Sequence, residues 1–128
     1  MNGVDRSEDR RWPRSVFGVG SEPDPRFSFA NERTFLAWIR TGLGFLAAGV
    51  AIATVARVDA RLNLEVRAAA LLLVLCGLAC AAGAWFRWVR SERAMRLGRP
   101  LPSSPLVLVL VGVVVVVALI ALVILALR

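Results

Sequence analysis

The chain has no lysine, no histidine, no tyrosine and only two cysteines in its 128 residues. The missing histidine removes the commonest general base and the commonest metal ligand. Two cysteines are too few for a disulfide framework or a four-thiolate zinc site. Acids are scarce as well: nine oppose sixteen basic residues, every one an arginine, for a net charge of +7. The spacing of Glu32, Glu65 and Glu92 does not support a catalytic carboxylate pair. These shortages point away from an enzyme and from a bound metal or cofactor. Hydrophobic residues, in contrast, make up 58% of the chain, against about 45–50% in an ordinary soluble domain, and mean hydropathy is +0.68. Such a chain is too apolar for a soluble fold and too short for more than one domain.

Three apolar stretches, 35–56, 68–86 and 106–127, are long enough to cross a bilayer as helices, which takes about 20 residues. Arg40 is the single charge in the first; the others have none. Lipid admits only helices or closed barrels, and continuous runs read as helices. The expected fold is all-α, with a flexible tail over 1–25 and a three-helix transmembrane domain over 26–128. The first apolar run starts behind twelve charged residues, unlike a secretory signal, so the N-terminus is expected to be retained. Residues 1–34 carry six arginines and 87–105 five, against three in 57–67 and one at the C-terminus. The positive-inside bias then places the N-terminus in the cytoplasm and the C-terminus outside. Trp38, Trp85 and Trp88 fall at the cytoplasmic ends of their spans, the level expected for interfacial tryptophan.

Between the spans the signals are local. Ser28 or Asn31 is suited to cap a helix that runs into the first span. The short 57–67 loop implies an antiparallel hairpin of the first two helices. The second helix is expected to continue to about Leu97, with Glu92 and Arg96 paired four residues apart. Gly98 suits its stop, and Pro100, Pro102 and Pro105 prevent resumption. Ser103 or Ser104 is expected to cap the third helix, with Pro105 in its first turn.

Two stripes carry the functional expectation. Arg33, Ala37, Arg40, Gly44, Ala48 and Ala51 share one face of the first helix; Cys76, Cys80, Gly83, Arg87 and Arg90 share one face of the second. Small residues in membranes mark packing faces, leaving Leu36, Ile39, Leu43 and Leu46 toward lipid. The third helix reads as mostly lipid-exposed, with only Gly112, Ala118 and Ala121 as small residues on a stripe. Arg40 either snorkels to the headgroups or meets Arg87 inside a bundle, with Arg33 and Arg90 further out. In the second case Arg33, Arg40, Arg87 and Arg90 outnumber the nearby carboxylates Glu32 and Glu92, the ion-pair candidates, and the excess suits an anion. Cys76 and Cys80 read as packing residues. The arginines of 87–99 follow the positive-inside bias and attraction to anionic lipid, with no expectation of nucleic-acid binding.

The run from Asp24 to Thr41, with its core Asn31-Glu32-Arg33-Thr34-Phe35-Leu36-Ala37-Trp38, resembles the opening motif of the YidH-like family, whose domain has no known function. Ala94-Met95-Arg96 and Gly98-Arg99-Pro100-Leu101-Pro102 resemble its second motif, so the likeness covers roughly 24–127. It implies a multi-pass protein of the bacterial plasma (inner) membrane. The domain is also similar to the membrane part of the eukaryotic vacuolar transporter chaperone, a polyphosphate polymerase complex. There, copies assemble around a pore whose basic residues conduct polyphosphate. That similarity implies a homo-oligomer with an anionic ligand, using Glu32 and Arg33 and then Arg40, Arg87 and Arg90. The alternative is a non-catalytic assembly or scaffold subunit of a membrane complex.

Overall fold

The structure is a computed structural model that describes residues 9–58 and 64–127. Its elements are a short α1 (Arg14–Phe17), then α2 (Pro25–Val58), α3 (Leu64–Arg96) and α4 (Leu106–Ala126). The last three are each long and apolar enough to cross a membrane, and among the described residues there is no strand. Helices claim both ends of the expected 57–67 loop; residues 59–63 lie outside the described ones.

At 34 and 33 residues, α2 and α3 are each roughly 50 Å long at 1.5 Å per residue. A bilayer core is about 30 Å thick, so the hairpin projects beyond it. The polar ends, Pro25 to Thr34 of α2 and Arg87 to Arg96 of α3, lie together at the N-terminal end.

α2 does not start on Ser28 or Asn31. Asp24 is its cap: its Oδ1 accepts the backbone N–H of Arg26 at 3.0 Å, and its carbonyl accepts that of Phe27. Pro25 fills the first helical position, where its fixed φ and missing N–H cost nothing. Ser28 and Asn31 are thereby free to face α3. The stop of α3 is as expected. Gly98 sits at φ +64°, its N–H bonds to Met95 O and that of Arg99 to Ala94 O. This pair of bonds is the Schellman arrangement, which needs a left-handed residue at that position. Neither Ser103 nor Ser104 caps α4; Pro105 stands at its N-cap and no side chain bonds there.

The core is the α2–α3 seam. On α2 the seam runs through Asn31, Phe35, Trp38, Gly42, Phe45, Gly49, Ile52 and Ala56, with Ser28, Thr34 and Ile39 half-buried beside it. They alternate steps of four and three, the heptad spacing of a left-handed supercoil. Ala70, Leu73, Gly77, Cys80 and Ala84 answer from α3. Gly42 and Gly77 bring the backbones into contact: a Cβ on Gly42 would lie 3.0 Å from Gly77 O, and one on Gly77 2.8 Å from Gly42 O. A Cβ on Gly49 would meet Ala70 O at 2.8 Å.

The α3-facing seam is therefore not the expected stripe. Ala37, Gly44, Ala48 and Ala51 are exposed, and a Cβ on Gly44 would meet nothing within 4 Å. At 100° per residue that stripe lies on the far side of α2 from Gly42 and Gly49. The reason is that close packing here alternates glycine with Trp38 and Phe45; uniform smallness is not what α3 selects. Leu36 and Leu43 face outward as expected, while Ile39 is half-buried and Leu46 edges onto Gly77. α4 is the least covered helix. Its Leu106 rests against Gly83, and no described side chain of α4 is fully buried.

Gly42→Val and Gly77→Val should each destabilise the hairpin by about 1–3 kcal/mol, the usual overpacking cost. Gly44→Val should leave protomer stability unchanged. Denaturant unfolding in detergent, followed by tryptophan fluorescence, measures both.

Candidate functional site

The four arginines singled out in the sequence fall into two separate places. Arg33 and Arg40 are exposed on the back face of α2, among the small residues that α3 leaves uncovered. Neither has a carboxylate partner among the described residues. Arg87 is half-buried and Arg90 exposed, on the flank of α3 that faces the segment leading into α4. The structure does not bring Arg40 to Arg87. The α2 stripe points away from α3, and the α3 stripe divides: Cys80 packs against Gly42 in the seam, while Gly83, Arg87 and Arg90 turn toward Leu106.

The two candidate acids also part. Glu32 is exposed and makes no ion pair with Arg33 or with any other described residue. Glu92 is 3% exposed and is the hub of the N-terminal end. Its carboxylate accepts the Ser28 hydroxyl at 2.8 Å and Asn31 Nδ2 at 3.2 Å, and Arg96 Nε lies 4.0 Å away. Asn31 also donates to Trp88 O at 3.1 Å, so both its amide hydrogens are used. The i,i+4 pairing of Glu92 with Arg96 agrees with the sequence. The cross-helix partners, 57 to 64 residues away along the chain, had no local signal.

Residues 9–24, expected as a mobile tail, are folded onto this hub. Val16 is fully buried, and Trp12 stacks on Trp85, which stacks on Trp88, with centroids 5.7 and 5.5 Å apart. Phe17 tilts against Trp88 and lies 4.7 Å under the Arg11 guanidinium and 4.8 Å from that of Arg96. Such cation–π contacts are each worth about 0.5–2 kcal/mol. Arg11 forks between Asp9 and Glu22, with bonds of 2.7–3.1 Å, and Arg96 Nη2 reaches Glu22 at 3.3 Å. Gly20 is required where it stands: at φ +61° its missing Cβ would sit 2.0 Å from Arg96 O, which the next residue, Ser21, uses as an acceptor. The signals for this clasp were aromatic: Phe17 is half-buried, while Trp12 stays largely exposed and contributes through its stack on Trp85.

The clasp encloses a cavity of about 280 Å³ whose lining includes Phe17, Glu22, Glu32, Trp88, Glu92 and Arg96. Arg96 Nε is buried there without a hydrogen bond. Carboxylates match or exceed guanidiniums around it, so this is a joint, not an anion site. Hydrogen bonds from Arg11 hold the Asp9 carboxyl down to about 2 and lower that of Glu22, while Glu22 and Asp9 together raise Arg11.

Two outcomes follow. Glu92→Ala strips the acceptor from Ser28, Asn31 and Arg96 and should destabilise the hairpin by about 1–3 kcal/mol or more, with Glu92→Gln less damaging; thermal unfolding in detergent measures this. The Asp9 and Glu22 carboxyls titrate below their unfolded values of 3.8 and 4.5. Their support is thus whole above about pH 5 and lost as pH falls through the lowered values. Hydrogen exchange of residues 9–24 should be flat from pH 7 to 5, after correction for intrinsic rates, with protection falling toward pH 2.

Comparison with known proteins matches the geometry. The family model described as "Domain of unknown function (DUF202)" matches residues 26–94, from the capped start of α2 past Glu92 and short of Arg96. The chain is 49% identical over 92 residues to the Inner membrane protein YidH of Escherichia coli, covering 72% of this chain and 79% of that one. It is 46% identical over 88 residues to an uncharacterized protein of Mycobacterium tuberculosis, covering 66% of this chain and 68% of that one. No solved structure matches. With its three membrane-capable helices and this likeness, the chain belongs to the DUF202 family and is a multi-pass inner-membrane protein.

Proposed function

We propose that the protein works as a homo-oligomer in which the back face of α2 lines a shared axis, with Arg33 and Arg40 as rings that bind or pass anions, phosphate or polyphosphate among them. The observation that carries this reading is the placement of Arg33 and Arg40 with Ala37, Gly44, Ala48 and Ala51 together on a side of α2 that α3 leaves bare, beside the exposed Leu36 and Leu43. Small residues permit close helix approach between copies. An arginine facing hydrocarbon costs about 2.5–3.5 kcal/mol at the bilayer centre, less near its edge. Turned toward a common axis, it meets water and anions instead. Closed symmetry would repeat each arginine as a ring, the usual filter for anions. By the positive-inside bias these rings would lie at the cytoplasmic end. Arg87 and Arg90 lie off that face and would add only to the attractive field around it.

The bare flanks of α4 favour a second reading, a non-catalytic assembly subunit that docks another membrane protein. A stoichiometric partner in mild-detergent purification would select it; a ring of this chain alone would count against it.

Gly44→Val with Ala48→Leu should break the oligomer, read by native mass spectrometry, while the hairpin stays folded. Arg40→Ala should abolish anion flux in proteoliposomes with assembly intact. Absence of polyphosphate, phosphate and chloride flux in the unmodified protein refutes permeation.

A further inference from the structure

A second cationic feature lies apart from the α2 face. A cleft runs between the last turns of α3 and the segment that leads into α4. Its two lobes, of about 200 and 190 Å³, share Arg90 and Pro102. One lobe is walled by Arg93 and Arg99, the other by Arg87 and Ser104. No carboxylate lines either lobe. Arg93 donates to Ser15 O, whereas Arg87, Arg90 and Arg99 have no ion pair among the described residues.

Three further observations say what would fill it. α4 begins at this cleft without a side-chain cap, so no side chain satisfies the N–H groups of its first turn. Free N–H groups and the positive end of a helix dipole favour a phosphate. The floor is apolar: Gly83, Phe86 and Leu106, continuing into the exposed side chains of α3 and α4. A free anion has no use for such a floor, while acyl chains do. The cleft is also level with Trp85 and Trp88 on α3, and stacked tryptophans mark the headgroup layer.

We infer that this cleft holds the phosphate of an anionic phospholipid between Arg87, Arg90 and Arg99, with its acyl chains along Phe86 and Leu106. The inference does not depend on an oligomer or on permeation. Four guanidiniums without a carboxylate supply the charge, the uncapped turn supplies directed donors, and the apolar floor distinguishes a lipid from a soluble anion.

The test is native mass spectrometry of the full chain released from nanodiscs of phosphatidylglycerol mixed with phosphatidylcholine. The unmodified protein should retain phosphatidylglycerol in preference to phosphatidylcholine. Arg90→Gln and Arg99→Gln should each cut that preference by about fivefold, the effect of one arginine at an anionic surface. Arg26→Gln removes the same charge at an exposed position distant from the cleft and should change it little. Equal retention of the two lipids overturns the inference, as does an equal loss in Arg26→Gln, which would reduce the effect to bulk surface charge. A second arm needs no variant: inorganic phosphate at millimolar concentration should fail to displace the lipid, and displacement would reassign the cleft to a free anion.

Discussion

The approach of Gly42 to Gly77 sets the frame for the whole N-terminal end. A backbone contact of this kind fixes both the distance between two helices and their register. Ala70 lies seven residues before Gly77, and Gly49 seven after Gly42; these two meet. Trp88 lies eleven residues after Gly77, and Asn31 eleven before Gly42; these meet as well. One antiparallel register thus runs from the glycine contacts to the Asn31–Trp88 bond. A shift by one residue would carry Asn31 and Ser28 away from Glu92, and with them the acceptor that holds the buried Arg96. The clasp of residues 9–24 inherits this dependence, because Glu22 and Ser21 both close onto Arg96.

Much of this was legible in the chain, and what was not has physical causes. Spans, hairpin and the Gly98 stop come from composition and from backbone chemistry, which act locally. The cap of α2 was misplaced because Ser28 and Asn31 are good caps by type, whereas Asp24-Pro25 offers both a cap and a preset first residue. The packing face was misassigned for a different reason. α2 has small residues on both sides, and their spacing alone cannot tell which side meets α3. What decides is that Trp38 and Phe45 flank Gly42 and so give one seam both depth and bulk. The roles of Ser28, Asn31 and Trp12 depend on partners more than fifty residues away, which no local pattern encodes.

The clasp also changes how the charge is to be understood. A net +7 suggests arginine spread evenly over one surface. The folded chain sorts it. Asp9 and Glu22 are engaged by Arg11, Asp24 by Arg26, and Glu92 by Arg96. Four of the five described carboxylates at the N-terminal end are thereby committed to three arginines, and these arginines are neutralised where they stand. The exposed pairs, those of Arg11 and Arg26, contribute little stability one at a time, yet all of them remove carboxylates from competition.

Among the arginines left with no acid to satisfy them, two groups stand on different sides of the hairpin. Arg33 and Arg40 stand behind α2; Arg87, Arg90 and Arg99 stand beside the start of α4. Glu32 is the remaining described acid at this end, and it is exposed and unpaired. The separation matters because the two groups sit against different surroundings. Behind α2 the neighbours include Ala37, Gly44, Ala48 and Ala51, a surface small enough for another helix to approach, on which the proposed assembly rests. Beside α4 the neighbours are Phe86, Leu106 and an uncapped helix turn, a surface that an amphiphile satisfies without a second protein. One excess of positive charge is thus split between two surfaces, one for each of the two anionic interactions proposed above, and the α2–α3 register decides which arginine lies on which.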